Sequence, residues 1–599
     1  MYKIVSIVCI IAAVICCALF MSWMKSRRGT GEQAARLYGT IRSRNSNFWA
    51  FHMFPVIIFA LLAVVTIGLA TGKWINAAAC LIGAVASFAC IYAGSLSYIS
   101  GSVSSYNEAA AGDIRSSIKS SYRSGAVTGI FTSALFLAVF MLAFHFIKTE
   151  TVIALAAPFA LGASVVAATL HTGGDVYSSS YSMAVTSRGF TDRTGYYTGA
   201  GADIAESYII AAAATIMLAD VGVDTSGVTS TFTSATSARF IIVIYAAGIA
   251  GSVIGAFIQR SGIGNDPAKG ADIGCIAAGI VTIAVCMYFS SEMMQSLVYA
   301  WAAAAGVIGG ILISEISRFF ASDNKIYVIG KSYSRQSRVL FNLGSGMITT
   351  AIYSVILLSA IIVSYNFASF YGLALCAAGM CSIFGSVNAV AGIAIVSGES
   401  SEIISSRLRG EDEDSEKMSD ALSRVSVKNG IFSTTYRTAA GTIAAMALFC
   451  AMSVSSESQV IDIMTLRVFG GIIVGACSAF VLTGLLIGSM RLTSRVAMKE
   501  LGRTDDEAGV ADSVRGAVIP VFTGLALTVI IGAFCGAASL AGFVISAVVT
   551  GSLIITSFNN SGMYFENTAV QSLSSVIKMM TVLSAAFFTV FTNIGGLLF

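Results

Sequence analysis

Seven ionisable residues stand inside otherwise apolar stretches of this 599-residue chain: His171, Asp175, Asp192, Asp203, Glu206, Glu315 and Lys578. An ionisable group surrounded by hydrocarbon is costly, so one that is kept marks an ion path, a ligand or a paired cluster. Asp203 and Glu206 are three residues apart, which on a helix puts both carboxylates on one face. Two acids that close repel each other unless one holds a proton or a cation lies between them. Lys578 is the only Lys or Arg in the last 84 residues and is the candidate cation. An Asp–Glu–Lys cluster can gate a proton or cation path, and the same charges can equally snorkel to a membrane interface. Glu315 and Arg318, again at i and i+3, read as an interfacial ion pair.

These groups must be positioned by elements that are almost wholly apolar. Charged residues are 11% of the chain, against about 25% in soluble domains. AVILMFWYC residues make up 56%, and the mean hydropathy is +0.82. This composition excludes a soluble enzyme, a nucleic-acid binder and a secreted disulfide scaffold together. It predicts an all-α polytopic membrane protein whose first partner is the lipid bilayer. Apolar blocks between charge clusters place sixteen spans, near 4–24, 48–72, 75–99, 122–147, 151–179, 195–219, 236–259, 271–291, 294–317, 338–365, 367–397, 429–454, 461–490, 516–537, 539–564 and 570–598. They form one membrane domain over 1–599, with 398–428 as its largest cytoplasmic loop. The first run, to Met24, is too long for a signal peptide and lacks an A-x-A cleavage site, so it reads as a span. The 12 cysteines fall in apolar blocks without C-x-x-C spacing and read as small packing residues. Gly occurs 58 times and Pro 4 times, which favours close packing of mostly unbroken helices.

Cations alternate between the connections. Lys25, Arg27, Arg28, Arg36, Arg42 and Arg44 follow the first span, and Arg115, Lys119 and Arg123 follow the third. Arg491, Arg495, Lys499, Arg503 and Arg515 follow the thirteenth. The even-numbered connections hold almost none, Lys73 and Lys148 being the exceptions, and 220–235 has Asp220 and Asp224 without a base. The positive-inside rule therefore puts odd-numbered loops in the cytoplasm and both termini outside. The acidic run Glu411-Asp412-Glu413-Asp414 reads as a solvated surface.

Several segments, in order, resemble the membrane-bound inorganic pyrophosphatases, homodimeric sixteen-span pumps that couple pyrophosphate hydrolysis to H+ or Na+ transport. Tyr122-Arg-Ser-Gly-Ala-Val-Thr-Gly129 is similar to the family's F-R-x-G-A-V-M-G, and Gly173-Gly-Asp-Val-Tyr-Ser178 to G-G-G-I-Y-T-K. Gly199-Ala-Gly-Ala-Asp-Ile-Ala-Glu-Ser-Tyr208 resembles G-M-A-A-D-L-F-E-S-Y. Ser557-Phe-Asn-Asn-Ser-Gly-Met-Tyr-Phe-Glu-Asn567 resembles S-N-T-G-G-A-W-D-N, and Ser572-Leu-Ser-Ser-Val-Ile-Lys-Met579 resembles S-L-N-I-L-I-K-L. The resemblance implies that spans five, six, eleven, twelve, fifteen and sixteen form a six-helix inner ring surrounded by ten outer helices.

The departures concern chemistry. Hydrolysis of pyrophosphate needs carboxylates that hold Mg2+ and lysines that bind phosphate oxygens. The family's span-five lysine falls on Ser179, and the two aspartates after it fall on Ser182 and Thr186. Asp192 matches one span-six aspartate and would be the surviving metal ligand, but the next falls on Tyr196. The stretch D-N-A-G-G-I-A-E becomes Asn388-Ala-Val-Ala-Gly-Ile-Ala-Ile395, without either acid. Glu566 stands nearest the span-fifteen metal aspartate, the paired lysines after it are gone, and the cytoplasmic segment between spans fifteen and sixteen is deleted. The catalytic remnants are thus Asp192, Glu566 and Asn388. Asp203, Glu206 and Lys578 match the family's ionic gate, while the gate's span-five arginine falls on His171.

The expectation is a pseudoenzyme of this family with a retained gate cluster. Mg2+ and pyrophosphate are ligands only if activity survives. The partner is a second copy, or an active paralogue in a heterodimer. The alternatives are an active pump with an altered metal site, a regulatory subunit and a passive cation carrier.

Overall fold

The structure, a computed structural model, describes residues 2–29, 31–184, 193–224, 233–261, 267–322, 335–407, 413–455, 465–500, 507–561 and 569–594. Every regular element among them is helical. With no water in a bilayer core to satisfy backbone groups, a single-chain segment can cross only by bonding internally, which a helix does. The helices are α1 (Tyr2–Ser26), α2 (Glu32–Thr71), α3 (Trp74–Ala110), α4 (Ile114–Phe146), α5 (Thr149–Ala184), α6 (Thr194–Met217), α7 (Ala219–Asp224), α8 (Ser234–Ser261), α9 (Pro267–Met294) and α10 (Val298–Ser322). There follow α11 (Arg335–Ser382), α12 (Phe384–Gly392), a π-helical turn (Ile393–Ser397), α13 (Gly398–Arg407), α14 (Glu413–Ser455) and α15 (Leu466–Glu500). The last are α16 (Glu507–Ile530), a second π-helical turn (Ile531–Cys535), α17 (Gly536–Asn560), α18 (Leu573–Ala586) and α19 (Phe588–Ile594).

Fourteen helical stretches among the described residues are long and apolar enough to cross a membrane, or fifteen counting α18 and α19, which meet at 61°. Two of the sixteen spans expected from sequence fall in one of these stretches, Ser513–Asn560, of 48 residues. As one helix it would run about 72 Å, more than twice the roughly 30 Å hydrocarbon core. It is not straight: Gly536 has φ 84°, a left-handed conformation open to glycine, directly after the π-helical turn. A similar break divides α11 at Ser369, φ 53°, and there the chain doubles back. A Cβ on Gly372 would come within 2.1 Å of the Ser364 carbonyl oxygen. The helical stretch after Ser369 continues through α12 and the π-helical turn into α13.

Several helices also outrun the bilayer. The segment 398–428, expected as a loop, is helical in α13 and in the start of α14. Glu413 and Asp414 lie in the first turn of α14, where acids oppose the helix dipole, and Lys417 pairs with Glu413 at 3.0 Å. Glu411 and Asp412 lie outside the described residues.

Burial sorts the helices. Nearly every residue of α6 and of α12 is buried, whereas α1, α2, α15 and α16 expose Ile, Leu, Val and Phe along one side, as lipid-facing helices do. The six-helix ring is not sharply bounded, because α8, expected outside it, is largely buried too. Glycines set the closest approaches. A Cβ on Gly125 of α4 would lie 2.1 Å from the Asn388 carbonyl oxygen of α12, so those backbones touch. Nine cysteines are fully buried, Cys450 and Cys535 are half-buried and Cys477 faces outward; all are free.

Candidate functional site

Asp203, Glu206 and Ser207 lie on one face of α6, and α18 brings Lys578 against that face. Lys578 Nζ donates to Asp203 Oδ1 at 2.6 Å and to Ser207 Oγ at 2.9 Å, and lies 3.1 Å from Glu206 Oε2. It is also 3.3 Å from the Asp203 carbonyl oxygen. The lysine is 2% exposed and Glu206 is fully buried. Ser164 of α5 donates to Glu206 Oε1, and Ser574 of α18 donates to Asp203 Oδ1 at 3.4 Å. Gly441 of α14 leaves room for the lysine stem, since a Cβ there would sit 3.2 Å from Lys578 Cδ. Interfacial snorkelling is therefore not what these charges do: all three are buried together.

A fourth charge completes the cluster. Arg437 of α14 is 2% exposed, and its Nε lies 3.8 Å from Asp203 Oδ2. The same guanidinium is held by the Ser433 carbonyl at 3.3 Å and by Thr434 Oγ1 at 3.5 Å. Two carboxylates thus face two cations, and their formal charges cancel. Sequence reasoning passed over Arg437, although an arginine nine residues into an apolar span was signal enough.

His171 lies beside this cluster rather than bonded into it. Its Nδ1 is 2.7 Å from Ser575 Oγ and its Nε2 is 3.6 Å from Asp175 Oδ2. Asp175 also accepts the Ser572 N–H at 2.8 Å, tying α5 to the start of α18. The second cation facing Asp203 is thus Arg437 of α14, while His171, at the α5 position that the resemblance indicated, sits against Ser575 and Asp175. Glu315 pairs with Arg318 as expected, at 2.5 Å, and Arg318 also reaches Asp272 of α9 at 2.7 Å.

The positions of the family's hydrolytic groups look quite different. Ser179 and Tyr196 hydrogen-bond to each other at 2.8 Å, and Ser178 Oγ accepts the Tyr196 N–H at 3.1 Å. Asn388 is spent on packing, its Nδ2 donating to the Gly125 carbonyl at 3.0 Å. Ile395 is buried in the π-helical turn. Around them, Arg193 at the start of α6 pairs with Glu402 of α13, and a Cβ on Gly398 would collide with its guanidinium. Tyr98 donates to Glu399 at 2.7 Å. Arg193, Glu399 and Glu402 also escaped the sequence reasoning, because they lie at span ends where charge is ordinary. Asp192, Thr186 and Glu566 lie outside the described residues, as does the side chain of Ser182. Among the described residues no three His, Cys, Asp or Glu side chains converge as metal ligands. The hydroxyls, amide and hydrocarbon at Ser179, Tyr196, Asn388 and Ile395 do not fit a Mg2+–polyanion site, which needs charged oxygen ligands.

Fold and site together define a polytopic helical membrane protein with a neutralised ion cluster at membrane depth. The chain belongs to the inorganic H+ pyrophosphatase family, whose model matches residues 11–185 and 183–573. It is 22% identical over 529 residues to a Clostridium tetani protein named as a K(+)-stimulated pyrophosphate-energized sodium pump, covering 74% of this chain and 76% of that one. It is 21% identical over 402 residues to a K(+)-insensitive pyrophosphate-energized proton pump of Methanosarcina mazei, covering 62% of this chain and 58% of that one.

Proposed function

We propose that this chain is a non-hydrolytic member of its family, in which the ionic cluster persists as a buried packing element joining α5, α6, α14 and α18. One observation carries the reading: Ser179 and Tyr196, standing where the family has a lysine and an aspartate, are hydrogen-bonded to each other. Neutral hydroxyls satisfied by one another cannot neutralise a polyanion or orient a metal. The balanced charges of Asp203, Glu206, Lys578 and Arg437 support the structural role, because a cluster already neutral needs no transported cation to complete it. The reading carries with it sixteen crossings, both termini outside and assembly as a dimer, with itself or with an active paralogue.

The experiment is phosphate release from pyrophosphate by purified protein with Mg2+. No turnover above background is expected. Removing one main charge-stabilising group commonly costs about 10² to 10³ in rate, and here several are missing. Turnover on the order of 1 s⁻¹, within the usual range for enzymes, that is lost in Asp192→Asn would overturn the reading in favour of an active pump. Cation flux into liposomes without pyrophosphate would overturn it in favour of a passive carrier.

A further inference from the structure

A cavity of about 390 Å³ lies between α3, α4, α5 and α6, its lining beginning on α6 at Ile209, one turn after Glu206. Its lining is apolar throughout, including Ala78, Leu142, Phe146, Leu155 and Ile216. All four helices contribute the same end. The lining residues fall within the first nine positions of α3, the last eight of α4 with Ile147 just after it, the first eleven of α5 and the last nine of α6. Eight to eleven residues at 1.5 Å each span about 12–17 Å, close to half of the roughly 30 Å hydrocarbon core. The cavity is therefore about one leaflet deep.

Its inner end is closed where α3 and α5 meet backbone to backbone. A Cβ on Gly162 would come within 1.8 Å of the Cys80 carbonyl oxygen, and one on Gly83 within 2.0 Å of the Phe159 carbonyl oxygen. Beside that contact the space is lined by small residues such as Ala78 and Ala79. The side is open, with Leu142 56% and Phe146 77% exposed.

The charges at the mouth identify the occupant. Lys73 and Lys148 are the two exceptions to the otherwise cation-poor even-numbered connections, and both stand at this rim. Lys73 precedes lining residue Ile75 by two positions, and Lys148 directly follows lining residue Ile147. Both are exposed, and among the described residues neither forms a salt bridge. Arg239 of α8 is close by, donating to Thr149 at 3.3 Å. The described acids at this end of the helices are Glu150 and Asp220, both exposed, and Asp224 at the end of α7. A leaflet-deep apolar slot under two unpaired lysines has the shape and charge of an anionic phospholipid, acyl chain inward and phosphate outward.

We infer that this slot is a binding site for one anionic phospholipid per chain. The test is native mass spectrometry of the detergent-solubilised protein, supplied with dioleoyl phosphatidylglycerol or dioleoyl phosphatidylcholine. The parent should retain phosphatidylglycerol in preference. Lys73→Gln with Lys148→Gln should lower that preference on the order of tenfold or more, given the attraction expected of each lysine near a lipid phosphate. Ala78→Trp, or Leu142→Trp from the facing wall, should abolish retention by filling the slot, whichever of the two folds better. Equal retention of both lipids by the parent would overturn the inference, as would parent-like retention by the tryptophan variants. A changed subunit number in Ala78→Trp would assign the groove to a second protein copy and overturn it as well. None of these readouts depends on pyrophosphate chemistry.

Discussion

Replacing Lys578 by Met tests whether the buried charges act as one unit. The substitution keeps most of the stem and removes the ammonium, along with its contacts to Asp203 at 2.6 Å, Ser207 at 2.9 Å and Glu206 at 3.1 Å. The two acids do not suffer equally. Asp203 keeps Arg437 at 3.8 Å, whereas Glu206 is left with the Ser164 hydroxyl and no cation. Deleting one partner of a buried pair typically costs about 3–5 kcal/mol, because the other charge stays desolvated. For 599 residues at about 2.1 cal/mol/K each, the unfolding entropy is roughly 1.3 kcal/mol/K, so a cost of about 4 kcal/mol lowers the melting temperature by about 3 °C. Tryptophan-fluorescence melting in detergent is the assay. Adding Glu206→Gln should recover more of the loss than adding Asp203→Asn, since Glu206 is the acid left without a cation. If Lys578→Met melts with the parent, the four residues are not energetically coupled. If Asp203→Asn rescues better than Glu206→Gln, the assignment of Arg437 to Asp203 is wrong.

Arg437→Met should destabilise less than Lys578→Met, because Asp203 retains the closer cation; the same melting series checks the order. Gly125→Ala should destroy the folded yield seen by size-exclusion chromatography, since its Cβ would enter the backbone of α12, while Gly484→Ala, with open space around it, should not. Tyr196→Phe should cost only about 1 kcal/mol, the loss of one neutral hydrogen bond to Ser179. Asp113 caps α4 by accepting the Ser116 N–H at 3.0 Å, and the Ser116 hydroxyl together with that N–H holds its carboxyl below the usual range. Its stabilisation is therefore present above the unfolded pKa of about 3.9 and lost as the pH falls through the folded value. Asp113→Ala should accelerate amide exchange in the first turn of α4 at pH 7, and the difference should vanish in acid.

Whatever depends on hydrocarbon was legible in the sequence. Apolar blocks of span length must be helices in a bilayer, and their order follows directly. The places where the reading failed are places where helices stop obeying that constraint. Helices α2, α3 and α14 run for 40, 37 and 43 residues, well beyond the roughly 20 that cross a bilayer, and the end of α3 is buried against protein, so charge clusters no longer mark an end. The segment 398–428 looked like a loop because it is charged, yet charges at i and i+4 spacing stabilise an exposed helix. The break at Gly536 and the reversal at Ser369 are set by backbone conformation, which hydropathy does not record. In the site, Asp203, Glu206 and Lys578 stood out because each is rare among its neighbours. Arg437 was overlooked because the comparison with the family directed attention to one position on α5, where His171 stands.

The presence of Arg437 beside Asp203 bears on what the cluster can do. A gate that passes a cation must hold net negative charge for part of its cycle, so that the cation completes it. Here the completing charges are covalently attached: Arg437 on α14 and Lys578 on α18 face Asp203 and Glu206, two cations against two carboxylates. Opening such a cluster would separate two ion pairs in a low-dielectric interior, at a cost of several kcal/mol each. In a working pump, phosphoanhydride hydrolysis could drive that separation. The positions that would carry the hydrolysis instead hold a serine and a tyrosine bonded to each other. The proposed absence of hydrolysis and a closed cluster are thus physically consistent. Without an energy source to open it, a self-neutralised cluster contributes most as a fixed contact among α6, α14 and α18.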